Sequence, residues 1–417
     1  MEIKRDRYLN QLIAGMGNGM IKVVTGLRRC GKSYLLMNIF HRYLTEHGVD
    51  DSHIVEVALD DRRNKALRDP DRMLEYVDSR VRDSGKYYII LDEVQLLGEF
   101  EDVLNSFLHM PNVDAYVTGS NSKFLSNDVI TEFRGRGDEI RIYPLSFSEF
   151  FSAYGGTEEE AWNEYYTYGG LPAIASFDTS QKKMNYLKSL FLNVYSRDII
   201  ERYKIRDDAE LEEVVNILAS SIGSLTNPNK LANTFRSAKR PDVSYSTINS
   251  YLKYLQEAFM IQKASRYDVK GRKYINSLSK YYFTDIGVRN ARLDFRQQEE
   301  NHIMENIIYN ELRVRGFSVD VGLVEINTSG SDGKHIRKQL EVDFVANRGS
   351  RRYYVQSAFE MATGEKREQE ERPLLKIGDS FKKIIVVKDN IMLKRDEFGI
   401  ATMGIRQFLL DGNSLDL

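Results

Sequence analysis

The chain has 417 residues, 42% of them hydrophobic and 29% charged, with 7 prolines and a formal net charge of −2. That length suits two or three domains rather than one core, and that composition excludes a disordered chain. Its single cysteine, Cys30, excludes an internal disulfide and any multi-cysteine metal site and fits a reducing compartment. No window reaches the ~18 apolar residues of a membrane span, and the charged N-terminus is not followed by an apolar segment, so a cytoplasmic protein with no membrane partner is expected.

Residues 1–20 read as a helix bearing Tyr8, Leu9, Leu12 and Ile13 and ending at Gly15, Gly17 and Gly19. Residues 21–24 form an apolar run, and Tyr34, Leu35, Leu36, Ile39 and Phe40 mark an amphipathic helix after it. Between them, residues 26–33 match G-x-x-x-x-G-K-[ST] in the strand–loop–helix context that the motif demands. Glycines let successive N–H groups face phosphate oxygens at the positive end of a helix. Gly26, Leu27, Arg28, Arg29, Cys30, Gly31, Lys32, Ser33 and Tyr34 are therefore the candidate nucleotide-binding residues. Lys32 is suited to the β- and γ-phosphates and Ser33 to Mg2+. Cys30 fills a position the motif leaves free, as a small residue or as a reactive thiol.

Residues 54–59 are the next strand, followed by a charged helix over 71–81. Residues 87–93 read as a strand buried on both faces that ends in Asp92 and Glu93. Behind a P-loop, Asp92 would hold Mg2+ and Glu93 would polarise the attacking water as a general base; the alternative is a solvated acidic turn. Residues 113–122 form another buried strand, closing in small polar groups. There Ser120 or Asn121 either faces the γ-phosphate or the water, or simply makes a turn. Phe133-Arg134-Gly135-Arg136-Gly137 follows, and a guanidinium on a glycine-flanked loop suits transferred phosphoryl charge, in cis or from a neighbouring subunit, as well as plain solvation.

These motifs, together with residues 144–150, resemble the prokaryotic AAA-type ATPases of the archaeal-ATPase-like group, in which a C-terminal domain of unassigned function follows the ATPase. Residues 168–172 (Tyr-Gly-Gly-Leu-Pro) and 196–199 (Ser-Arg-Asp-Ile) look like that family's linker motifs, so the resemblance spans nearly the whole chain. It implies ATP hydrolysis with Mg2+, Asn121 as a sensor and Arg136 as a finger, and the sequence leaves a homo-oligomer open. It supplies no physiological substrate.

Residues 151–225 have a helical pattern, with two long helices at 182–202 and 211–222, and read as a lid. Phe151, Tyr154, Trp162, Tyr165 and Tyr166 are read as its core. Residues 228–280 hold eleven Lys or Arg against three Asp or Glu, a local charge of +8 that leaves −10 on the rest of the chain. They show a helix at 230–235, a second after the Ser244 cap with Ile248, Tyr251, Leu252, Leu255 and Phe259 on one face, and a β-pattern at 260–267. A basic turn at 270–273 and residues 281–283 complete the order helix, helix, hairpin, which is that of a winged helix-turn-helix. Lys239, Arg240, Lys253, Arg272 and Lys273 are the candidate DNA or RNA contacts, the alternative being a protein-binding module with a solvated basic face.

Beyond 295 come a helix at 303–314, a stretch at 318–325, a polar insertion at 327–338 and two strands at 340–346 and 352–358 joined by a turn at 348–350. Glu305, Asp343 and an acid-x-Lys on the next strand would make a PD-(D/E)xK nuclease pattern, two acids binding metal and the lysine assisting the attacking water. The third part reads Gln356-Ser357-Ala358. Gln356 retains a carbonyl ligand, but that strand carries no ammonium. The expectation is a fold resembling the restriction-endonuclease superfamily without cleavage, unless Lys366 or a lysine from elsewhere substitutes; Glu341 and Asp343 as ordinary edge-strand charges are the other alternative.

The expected architecture is thus α/β: a P-loop parallel-sheet ATPase domain (1–150), a helical lid (151–225), a winged helix-turn-helix (226–294) and a C-terminal α/β restriction-endonuclease-like domain (295–417). The expected function is ATP hydrolysis coupled to DNA, RNA or a protein partner. The alternatives are a nucleotide-gated binding protein without substantial turnover and an ATP-gated, Mg2+-dependent nuclease.

Overall fold

The computed structural model describes residues 3–119, 135–237, 244–296, 299–329, 335–361 and 363–417. The chain divides into one unit of Met1–Pro144 with Leu171–Ser176 and Glu257–Phe259, and a second of Leu145–Gly170, Phe177–Gln256 and Met260–Leu417. Among the described residues, no helix is long and apolar enough to cross a membrane.

The first unit holds a five-stranded parallel sheet. Its strands are β1 (Ile21–Thr25), β2 (Ile54–Ala58), β3 (Tyr87–Asp92), β4 (Val113–Thr118) and β5 (Gly137–Arg141), in the order β2-β3-β4-β1-β5. Every residue of β1 and β3 is buried, as strands covered on both faces require. Helix Pro70–Arg80 begins where Asp69 accepts from the Arg72 amide and proline takes the first turn. Its Met73 and Val77 join Phe100, Val103, Leu104 and Phe107 of helix Phe100–Phe107 in one core with β2 and β3. The sequence reading missed β5, because a strand with only Ile140 fully buried has no apolar run; it forms the charged edge beside β1.

Lys22 interrupts the apolar pattern of β1. It is fully buried, its ammonium paired with Asp114 on β4 and donating to the Met20 carbonyl at 2.9 Å. Asp114 also accepts from the Tyr116 hydroxyl and the Gly17 amide, each at 2.9 Å. Burial lowers the Lys22 pKa, and the Asp114 carboxylate opposes that shift. Removing either partner would leave a buried uncompensated charge, so the pair ties β1 to β4.

In the second unit, helices Phe147–Ala153 and Glu158–Tyr168 each begin with a capping box, Ser146 with Glu149 and Thr157 with Glu160. The Trp162 and Tyr165 rings stand edge-on to Phe147, both at 5.5 Å between centroids, which is the core role expected of them. The first of the two long lid helices appears as Ser180–Asn193 continuing through Val194–Glu201, and the second as Ala209–Ser220. Helices Pro228–Ser237 and Tyr245–Glu257 precede a hairpin of β6 (Ile261–Asp268) and β7 (Lys273–Phe283), so the order helix, helix, hairpin is present.

That hairpin is not a separate wing. Through a parallel pairing of β6 with β8 (Ser318–Ser329) it joins an eight-stranded sheet. The other strands are β9 (His335–Arg348), β10 (Arg351–Ala358), β11 (Lys382–Val387), β12 (Lys394–Arg395) and β13 (Ala401–Gly404), in the order β12-β13-β11-β10-β9-β8-β6-β7. β9 and β10 turn at Gly349 and Ser350, as the sequence predicts. The polar insertion expected at 327–338 is a correction: β8 and β9 pair through it, with Asn327 opposite Arg337, and residues 330–334 lie outside the described residues. A ribbon of polar residues held by backbone bonds has the composition of a loop.

The Gly-Gly turn before Leu171 has a packing reason. Asp285 caps helix Ile286–Arg292 by accepting from the Val288 amide at 3.0 Å and also accepts from the Gly170 amide at 2.8 Å. A Cβ on Gly169, at φ +77, or on Gly287 would collide with this turn. Burial raises the Asp285 pKa to about 6 against those amides. The folded chain then binds this proton more tightly than the unfolded chain, whose value is near 3.8, so stability falls as pH rises through that window. We expect Asp285→Asn, which keeps an oxygen acceptor, to gain on the wild type by about 3 kcal/mol between pH 3 and pH 7. Urea unfolding of both chains across that range measures it; parallel curves would remove Asp285 as the titrating group.

Candidate functional site

The glycine loop follows β1. Gly26 stands at φ +142, and a Cβ there would strike the Ile142 carbonyl oxygen, so only glycine lets the chain turn. Arg29 at φ +68 and Gly31 at φ +103 complete the curl, and the helix begins at Lys32. Leu27 and Cys30 are buried, Arg28 is half-buried, and Arg29 and Tyr34 are exposed. The Cys30 thiol packs under the loop and donates to the Ile142 carbonyl at 3.8 Å, the environment of a small packing residue. The Lys32 ammonium, also buried, donates to the loop carbonyls of Gly26 at 3.0 Å and Leu27 at 3.2 Å.

The acid pair comes to the same place. Ser33 Oγ donates to Asp92 Oδ1 at 2.8 Å, and the Thr118 hydroxyl donates to the same oxygen. Thr118 Oγ1 accepts in turn from the Glu93 amide at 3.0 Å. Burial raises the Asp92 pKa; the Thr118 and Ser33 hydroxyls oppose it, while Glu93 and Asp60 add to it. Glu93 has left-handed backbone at φ +53, a strained conformation for glutamate, and its carboxylate accepts from the Gln95 amide. The buried Gln95 amide oxygen has no hydrogen-bond partner among the described residues.

Thr118 carries no motif of its own in the sequence, since it ends an ordinary buried strand and meets the acid pair only in the folded chain. Asn121 and Ser120 lie outside the described residues, as does Arg134. Arg136 is exposed and accepts, through its carbonyl, from the Ile21 amide at 2.9 Å. It therefore stands beside the start of β1, whereas the glycine loop follows its end. The 5 residues of β1 put about 16 Å of strand between them, farther than an arginine reaches, so a role for Arg136 in cis is corrected by the parallel pairing of β5.

In the second unit Lys253, on helix Tyr245–Glu257, and Arg272 and Lys273, at the β6–β7 turn, are exposed, while Lys239 and Arg240 lie outside the described residues. A cavity of about 450 Å³ opens between these helices and the hairpin; among the described residues its lining includes Asn227, Asn229, Tyr245, Asn249, Lys263 and Tyr281 and no carboxylate.

The three residues of the nuclease-like pattern also meet. Gln356 Oε1 accepts from the Asp343 amide at 3.3 Å, and its own amide donates to Glu370 at 2.9 Å. Glu305 and Asp343 share a cation that the sequence reading did not find, the Lys280 ammonium of β7. Lys366 instead lies 3.9 Å from Glu360 and is mostly exposed. A lone lysine in the apolar stretch that ends β7 was the available signal.

Residues 18–151 match the family described as an AAA domain, and residues 159–299 match a domain of unknown function (DUF8612). An uncharacterized protein of Haemophilus influenzae is 34% identical over 390 residues, covering 92% of this chain and 93% of its own length. The uncharacterized protein MJ1544 of Methanocaldococcus jannaschii is 28% identical over 357 residues, covering 82% of this chain and 75% of its own. Among solved structures, the Walker-type ATPase PABY2304 of Pyrococcus abyssi is similar at a TM-score of 0.50 and 14% identity, over 70% of this chain and 96% of that one, a likeness of fold.

Thr118→Val removes, at constant shape, the hydroxyl that donates to Asp92 and accepts from the Glu93 amide. A loss of about 1–3 kcal/mol in urea unfolding is expected, with Thr118→Ser close to wild type. Equal stability of the valine and threonine chains would show that the Glu93 amide finds another acceptor.

Proposed function

We propose that this chain, which belongs to the same family as the Haemophilus influenzae protein and carries an AAA domain over residues 18–151, hydrolyses ATP at the glycine loop. The observation that carries the reading is one hydrogen-bonded cluster, Ser33 to Asp92 to Thr118 to the Glu93 amide, at the mouth of a loop whose backbone only glycine permits. The residues fit a nucleotide with Mg2+: a hydroxyl and a buried carboxylate oxygen 2.8 Å apart are hard-cation ligands, and the unpartnered Gln95 oxygen accepts a further donor beside them.

Ser33 and Asp92 would hold Mg2+, which when bound neutralises phosphate charge. Lys32 turns its ammonium from the loop carbonyls to phosphate oxygens. Thr118 fixes both acids, and Glu93 takes the proton of the attacking water. Arg136, at the far end of the strands from the glycine loop, serves only the site of a second copy, and Asn121 keeps the sensor role that the family resemblance implies.

The work of hydrolysis is directed, in this reading, to a nucleic acid. The +8 charge over 228–280 and the exposed Lys253, Arg272 and Lys273 favour a phosphate backbone over a protein partner.

Glu93→Gln is expected to bind ATP as the wild type does and to turn it over about 10²- to 10⁴-fold more slowly. In the same assay Arg136→Ala should lower only the part of the turnover that rises with protein concentration. Unchanged turnover in Glu93→Gln would return the chain to the class of nucleotide-gated binding proteins. A Lys253→Ala/Arg272→Ala/Lys273→Ala chain should bind labelled DNA or RNA more weakly, with a salt slope shallower by about 3. An unaltered slope would assign the basic face to solvent.

A further inference from the structure

The Lys280 ammonium lies 2.8 Å from Glu305 Oε1, 2.8 Å from Glu341 Oε1 and 3.3 Å from Asp343 Oδ1. Three donors meet three carboxylates, so the capacity of the ammonium is filled. The lysine side chain is only 4% exposed, and those of Glu305 and Asp343 12% and 11%. The acids have further partners: Glu305 Oε1 accepts from the Tyr282 hydroxyl at 2.6 Å, and Asp343 Oδ2 from the Ser357 amide at 2.9 Å. The chain closes over Glu305 at Gly223, where a Cβ would stand 2.9 and 3.0 Å from its two oxygens.

We infer that the Lys280 ammonium occupies the place a divalent cation would take among Glu305, Glu341 and Asp343, making this centre an ionic clamp closed to metal-dependent phosphodiester cleavage. The oxygens stand 2.8–3.3 Å from the nitrogen, at N–H···O distances, whereas Mg2+ and Ca2+ draw oxygens to about 2.0–2.6 Å. Gln356, the other candidate ligand, has its carbonyl on the Asp343 amide and its NH2 on Glu370. Lys280, Glu305, Glu341 and Asp343 all lie outside residues 18–151, so the inference stands apart from the ATPase reading.

The test is Mn2+ binding to the full chain without nucleotide, read from the electron paramagnetic resonance of free Mn2+. Asp343→Asn is expected to bind as much Mn2+ as wild type. Lys280→Met, which keeps the volume and removes the charge, is expected to gain a site that Lys280→Met/Asp343→Asn loses. A wild-type affinity that falls about 10- to 100-fold in Asp343→Asn would overturn the inference, as would a folded Lys280→Met chain that gains no site. Mn2+-dependent cutting of a plasmid that disappears in Lys280→Met would overturn it too. Should Lys280→Met not fold, wild type against Asp343→Asn decides: equal binding supports the clamp and a loss removes it.

Discussion

A charge inside a sheet has to bring its counter-charge from another strand, and this constraint organises both units. Leaving such a charge unpaired costs several kcal/mol, so the partner strand has little freedom of choice. Lys22 of β1 is matched by Asp114 of β4, which fixes β4 as the neighbour of the loop strand. β4 then lies between β1 and β3. That placement sets Thr118, at the end of β4, against Asp92 and Glu93 at the end of β3.

The candidate ATP site follows from that order. Ser33 arrives from the helix after β1, Asp92 from β3 and Thr118 from the strand between them, and one carboxylate oxygen accepts from both hydroxyls. A centre supported from three elements is held more closely than one on a single loop, which phosphoryl transfer needs because its catalysis is mostly positioning and charge stabilisation. The cost is local: Glu93 is held at a left-handed φ, and the Gln95 oxygen stays unpaired among the described residues. The same parallel order leaves Arg136 at the opposite end of the strands from the glycine loop, so any use of that arginine requires another copy.

In the second unit the constraint works across a boundary that the sequence suggests and the sheet erases. The basic hairpin pairs with β8, so β7 forms an edge of the sheet that carries Glu341 and Asp343. Lys280 connects that edge to β9 and to helix Glu300–Val314. A helix–helix–hairpin pattern is readable locally, whereas the identity of the next strand is not. An acid pair on β9 fits a metal site equally well until the lysine from β7 is seen.

The sequence by itself determined the glycine loop, the strand–loop–helix around it and the Asp92-Glu93 pair. These are features of contiguous chain: a spacing of glycines, an apolar run and two adjacent acids carry their chemistry without reference to distant residues. It also showed the Ser244-capped helix and the basic hairpin, for the same reason. It did not show β5, whose polar edge has no apolar period, nor the paired ribbon at 327–338, whose composition is that of a loop. Tertiary structure alone decided that Lys22 meets Asp114 across 92 residues, that Ser33 meets Asp92 across 59 and that Lys280 meets Asp343 across 63. Strand order makes those meetings, and it follows from which buried groups satisfy one another in the folded chain, a relation that leaves no period or motif in the local sequence.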